Sequence, residues 1–182
     1  MKLFNLFISI LRASPSILFV IGLILFIITR MDIYLMLLIV FTVSEMINTI
    51  MKYYIFKPIM KNKYWPILGY GTRPTNSKNS AQFGNINTPP YKGSYGMPSG
   101  HSQNATFFST YVILNLLENP FSNNIKIYGT VLFITLALGI MYSRVLLKCH
   151  TVQQVIAGGL IGSVLGSLYF KNKDNIKNLL NL

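Results

Sequence analysis

Only two histidines occur in this chain, and each closes a short polar motif at the edge of an apolar run: Pro98-Ser99-Gly100-His101 and Ser143-Arg144-Val145-Leu146-Leu147-Lys148-Cys149-His150. Two imidazoles can run phosphoryl transfer without a metal. One attacks phosphorus; the other protonates the departing oxygen and then activates water. A helix starting behind a Pro-Ser-Gly turn would aim backbone N–H groups at an anion. Three cations, Lys52, Arg73 and Arg144, join these motifs if the chain folds back on itself as described below. Guanidinium forks and an ammonium suit a phosphoryl group. The chain has four acids, Asp32, Glu45, Glu118 and Asp174, and none falls within the motifs. Such a pocket lacks the oxygen ligands that magnesium or calcium needs, so no metal and no other cofactor is expected. The one cysteine, Cys149, excludes an internal disulfide and is read as packing.

The elements that must position these residues are apolar. Hydrophobic residues make up 52% of the 182 and charged ones 11%, with a mean hydropathy of +0.47, which leaves too little polar surface for a soluble globule. Five runs approach the length needed to cross about 30 Å of hydrocarbon, at residues 14–29, 33–51, 102–117, 125–143 and 151–170. A sixth apolar stretch, residues 1–11, is expected as a separate helix lying in or dipping into the bilayer. The fold class is therefore all-α, an integral membrane helical bundle of five to six hydrophobic helices. It forms one domain over residues 1–182: N-terminal helices to residue 51, a loop over 52–101, helices over 102–170 and a polar tail over 171–182.

Six of the eight prolines lie in the loop, so no long regular element is expected there. Its aromatic residues Tyr64, Trp65, Tyr70, Phe83, Tyr91 and Tyr95 predict a packed segment rather than a disordered one. Alternating spans bring Lys52, the whole loop and the 143–150 link to one side of the membrane. The net charge of +12 comes from lysines scattered around the spans, without a basic run. Nucleic acid is thereby excluded as a partner, and membrane lipid headgroups or a phosphorylated substrate are favoured.

The motifs around the two histidines resemble the second and third signatures of the type-two phosphatidate phosphatase and haloperoxidase superfamily. That resemblance implies that His150 forms a phosphohistidine, that His101 is the general acid and base, and that Ser99, Gly100 and Arg144 bind phosphoryl oxygens. The first signature, a lysine and an Arg-Pro pair seven residues on, is stretched here. Arg73-Pro74 stands 21 residues beyond Lys52. Lys52 and Arg73 are assigned to it, with Lys57 as the alternative lysine. Many members carry an aspartate four residues past the nucleophile; here it is Gln154, which can orient the imidazole without adding charge. HTVQQV at 150–155 and MPSGHSQ at 97–103 are most similar to the dolichyl diphosphatase branch.

Helical spacing places His150, Gln154, Gly158, Gly162 and Gly166 on one face, with the glycines as a ridge for close helix approach. The sequon Asn104-Ala105-Thr106 falls inside a span and is discounted as a glycosylation site. The expected function is metal-independent hydrolysis of a lipid phosphate or diphosphate, first a polyprenyl or dolichyl diphosphate. A phosphatidate or sphingoid phosphate phosphatase or phosphotransferase is the alternative within the class, and a non-catalytic lipid-binding relative the alternative outside it. The implied setting is a multi-pass protein of the endoplasmic reticulum or another internal membrane; no oligomeric state is specified.

Overall fold

A computed structural model describes residues 2–79, 88–90 and 93–180, with side chains from residue 9 to 179. Its frame is five long helices. These are α1 (Lys2–Thr29), α2 (Asp32–Ile50), α4 (Gly100–Glu118), α5 (Asn123–Leu146) and α6 (Val152–Lys171). Between α2 and α4 come a π-helical turn (Met51–Phe56), the short α3 (Lys57–Met60) and a hairpin of β1 (Tyr64–Trp65) and β2 (Gly69–Tyr70); α7 (Lys173–Leu180) ends the chain. Among the described residues, four segments are long and apolar enough to cross a membrane: Ser9–Thr29, Asp32–Met60, Asn123–Leu146 and Val152–Lys171. The fifth long helix, α4, is shielded by the others and buries the polar Ser102, Gln103, Asn104 and Ser109.

Three boundaries differ from the sequence expectation. Residues 1–11 do not form a separate interfacial helix, because α1 runs unbroken from Lys2 through Pro15. A proline removes one N–H from the ladder, and apolar residues on both sides continue the helix. The second span does not end at 51: the π-turn and α3 carry it to Met60, past Lys52 and with Pro58 in the first turn of α3, where its missing N–H costs little. The tail is helical, pinned by Lys173 to Glu118 and by Lys177 to Asp32 at 3.9 Å. Phe83, Gly84 and Tyr91, from the expected packed loop, lie outside the described residues.

The tightest crossing is α4 on α6. A Cβ built on Gly158, Gly162 or Gly166 would lie 2.4, 2.1 and 2.7 Å from the backbone carbonyls of Ser99, Gln103 and Phe107. Those carbonyls are themselves four residues apart, so a row of glycines on α6 meets a row of backbone oxygens on α4. Thr106 Oγ1 adds a hydrogen bond to the Gly159 carbonyl at 2.8 Å. Gly162→Ala is therefore expected to destabilise the protein by about 1–3 kcal/mol through overpacking, read as a lowered thermal midpoint in detergent. Gly139→Ala, whose Cβ meets nothing within 4 Å, should leave the midpoint unchanged or raise it.

A buried polar chain joins α2 to α4. Asn48 Nδ2 donates to Gln103 Oε1 at 2.9 Å, Gln103 Nε2 donates to the Ser44 carbonyl at 2.8 Å, and Ser44 Oγ donates to Asn104 Oδ1 at 2.7 Å. Asn104 Nδ2 reaches Glu45 Oε1. Buried amides must be paired in this way to offset their desolvation. The pairing locks the register of α4, and with it the position of the Pro-Ser-Gly-His turn at its start.

Candidate active site

His150 lies at the head of α6, 4% exposed, and its hydrogen bonds define its tautomer. Gln154 Nε2 donates to the carbonyls of Tyr70 and Thr72 at 2.9 and 2.7 Å, so the other end of this amide, Oε1, is the acceptor. That oxygen stands 3.1 Å from His150 Nδ1, which must carry the ring proton. Nε2 then holds the lone pair. Arg73 Nη1, which can only donate, sits 3.3 Å from Nε2. The same Nη1 donates to the Cys149 carbonyl at 2.9 Å, and Arg73 Nε donates to Ser94 Oγ at 2.7 Å. An unprotonated ring nitrogen thus faces a guanidinium that is anchored on two other sides.

Electrostatics keeps that nitrogen unprotonated. Burial pushes the His150 pKa well below the ordinary 6.5, and the charges of Arg73, Lys52 and His101 push it further down, against the smaller opposing effect of the Gln154 hydrogen bond. Neutral His150 consequently persists as pH falls through the usual histidine range. Burial also pushes the neighbouring Cys149 thiol up, against Arg144 and Arg73; with its Sγ against the Leu147 carbonyl it is a buried, neutral packing group.

The second motif meets the third through backbone and hydroxyl groups. Ser99 caps α4: its Oγ accepts from Ser102 Oγ at 2.9 Å, and its N–H donates to the Gln154 carbonyl at 3.0 Å. Gly100 opens the helix against α2, where a Cβ would lie 3.0 Å from Asn48 Oδ1. His101 follows, its Nε2 3.1 Å from the Arg12 carbonyl. Arg144, in the last turn of α5, is fully buried. Its Nε donates to Ser143 Oγ at 3.0 Å and its Nη2 to the Leu11 carbonyl at 3.2 Å, while Nη1 has no hydrogen-bond partner among the described residues. The Arg144 carbonyl in turn accepts from the N–H groups of Cys149 and His150 at 3.0 and 3.2 Å, which folds the 143–150 link tightly around the guanidinium.

Six of the eight residues singled out from sequence are thereby linked by contacts: His150, Gln154 and Arg73 directly, Ser99 through the Gln154 backbone, Arg144 through the His150 backbone, and His101 through the α1 turn that also holds Arg144. Lys52 occupies the π-helical turn, half-buried, and its charge is felt at His150. Lys57, the alternative lysine, is exposed and stands 5.4 Å from the Tyr53 ring centroid. Ser94, Leu11 and the Arg12 backbone were not legible as site components. They act through tertiary placement that no local motif encodes.

A cluster of cations around a neutral, hydrogen-bonded histidine, in an α-helical bundle with helices long and apolar enough to cross a membrane, suits an anionic phosphoryl group. The comparison with known families is specific: residues 33–177 match the PAP2 superfamily, and the chain belongs to it. Dolichyldiphosphatase 1 of Dictyostelium discoideum is 40% identical over 82 residues, covering 43% of this chain and 36% of that protein. The mouse (Mus musculus) protein of the same name is 40% identical over 84 residues, covering 42% and 35%. Lipid phosphate phosphatase epsilon 1, chloroplastic, of Arabidopsis thaliana is 32% identical over 75 residues, covering 41% and 27%. The matched stretch thus spans about a third of the length of these curated relatives. No solved structure matches the chain.

Proposed function

We propose that this protein hydrolyses a lipid phosphate or diphosphate, first a polyprenyl diphosphate, through a phosphohistidine at His150. The single observation that carries the reading is the tautomer chain running from the Tyr70 and Thr72 carbonyls through Gln154 to His150, which leaves Nε2 as a lone-pair nitrogen beside Arg73. His150 Nε2 attacks phosphorus and forms the N–P bond while the bond to the leaving oxygen breaks. His101 enters this step as the imidazolium, its Nε2–H on the Arg12 carbonyl, and gives that oxygen its Nδ1 proton. It then takes one from water, whose oxygen attacks the phosphohistidine and frees His150 and phosphate.

The free Arg144 Nη1, the Arg73 guanidinium, Lys52, the Ser99 hydroxyl proton and the first-turn N–H of Gly100 neutralise and hold the phosphoryl oxygens. A lipid substrate is supported by an apolar cleft of about 190 Å³ between α1, α4 and α5 that begins at Leu11, beside Arg144. Leu18, Phe108 and Phe133 line both this cleft and a second of about 440 Å³ extending toward Asn119. A tail can thus lie along α4 while its headgroup meets the cations. The dolichyl diphosphatase names among the relatives favour a diphosphate substrate.

The test is phosphate release in detergent with excess EDTA from a polyprenyl diphosphate, phosphatidate and a soluble phosphate ester, with His150→Ala as the blank. Release is expected from the polyprenyl diphosphate above the others and to be unaffected by EDTA. Phosphatidate as the best substrate would replace the diphosphate reading with the monoester one. No release from any of them, with the protein folded, would leave a lipid-binding protein without turnover.

A further inference from the structure

Helix α1 lies outside all three signature motifs, yet its backbone reaches two of the proposed site residues. The cause is Pro15, inside the helix. A proline has no N–H to give to the carbonyl four residues back, and its ring crowds that carbonyl. The carbonyl released here belongs to Leu11. It accepts instead from Ser14 Oγ at 2.9 Å and from Arg144 Nη2 at 3.2 Å. On the same turn, the Arg12 carbonyl lies 3.1 Å from His101 Nε2.

Both contacts have chemical consequences. A carbonyl only accepts, so His101 must carry its proton on Nε2, which leaves Nδ1 as its basic nitrogen. Arg144 is held at two of its three nitrogens, by Ser143 and by Leu11, and the unpartnered Nη1 is the remaining donor in a fully buried fork. Without the Leu11 carbonyl, only the Nε contact would set the rotation of that fork.

We propose that Pro15 is a positioning residue for phosphoryl binding: by withdrawing its N–H from the α1 ladder it dedicates the Leu11 carbonyl to Arg144 and aims Nη1 at the substrate. The proposal rests on Arg144 being a phosphoryl ligand. It makes α1 a wall of the site, contributed by a segment whose sequence carries no catalytic motif.

Pro15→Ala and Pro15→Gly separate this from a proline that the helix merely tolerates. Both restore the N–H, which recaptures the Leu11 carbonyl, but they move helix stability differently: alanine is the best helix former and glycine a poor one. Both variants are expected to lose inorganic phosphate affinity, measured by titration calorimetry on the purified full chain, by about ten- to a hundredfold, the size of one hydrogen bond to a charged group. The loss should occur even though the thermal midpoint of Pro15→Ala rises above wild type. In an Arg144→Lys background, where there is no fork to hold, Pro15→Ala should cost little more, because coupled residues are not additive.

Wild-type phosphate affinity in Pro15→Ala, or affinities that follow the midpoints of the two variants, would overturn the proposal. Phosphate binding that falls in both variants while wild type shows no His150-dependent turnover would support the positioning role and overturn hydrolysis, so the two failures are distinguishable.

Discussion

His150→Ala is expected to lower phosphate release by at least about a thousandfold, with the protein still folded and still binding phosphate. The magnitude follows from what is removed. Deleting one donor that stabilises a developing oxyanion costs about a hundred- to a thousandfold, whereas deleting the nucleophile abolishes the covalent path altogether. Folding should survive, because His150 contributes one side-chain bond to Gln154 and shares Arg73 with the Cys149 carbonyl and Ser94, both of which remain. The structure adds a pH signature. Since burial and the surrounding cations hold His150 below 6.5, its neutral form is not lost as pH falls through that value. An acid limb of kcat/KM belonging to the nucleophile should therefore appear below 6.5. Rapid kinetics with a denaturing alkaline quench, which preserves the acid-labile N–P bond, should trap labelled phosphate on wild type but not on His150→Ala and so measures the intermediate directly. Near-wild-type turnover by the alanine variant would end the phosphohistidine mechanism for this chain.

Gln154→Glu should lower kcat/KM by about a hundredfold or more, although a carboxylate is the better partner for an imidazolium. The amide at this position does two things at once. Its oxygen accepts from His150 Nδ1, and its nitrogen donates to the Tyr70 and Thr72 carbonyls. A glutamate keeps the first function and inverts the second, setting a buried negative charge against two carbonyl oxygens. Each lost buried hydrogen bond costs about 1–3 kcal/mol, and the strand end that leads into Arg73 loses its tether. The defect should therefore include a raised KM and a lowered thermal midpoint, and not a fall in kcat alone. This double attachment gives a physical reason for glutamine at this position: one end of its amide meets the imidazole while the other holds the loop. Gln154→Glu with unchanged or increased kcat/KM would mean that charge at the imidazole outweighs the loop tether.

Much of the candidate site was legible in the sequence, for definite reasons. The two histidines stand in motifs whose chemistry is local: a Pro-Ser-Gly turn opening a helix, and an arginine one helix end away from an imidazole. The glycine spacing 158, 162, 166 announces a close crossing through helix geometry alone. Other parts could not be read. Nothing near Pro15 indicates that the carbonyl it releases will meet Arg144, 133 residues away. The extension of α2 through Lys52 to Met60 was hidden because a lysine and a proline mark a boundary in sequence, while a π-turn and a first-turn proline accommodate both. The pairing of Gln103 and Asn104 with Asn48 and Ser44 could not be read either, because only the packed α2–α4 pair brings them together.

The row of α6 glycines against the α4 carbonyls has a mechanical consequence. The turn bearing Ser99 and the helix headed by His150 touch main chain to main chain, so no rotamer change or sliding side chain can widen the gap between them. Segments joined through side chains, such as α1 on α5 through Arg144, are free of that constraint. The Ser99 turn and the head of α6 cannot separate in that way, and they keep their gauge.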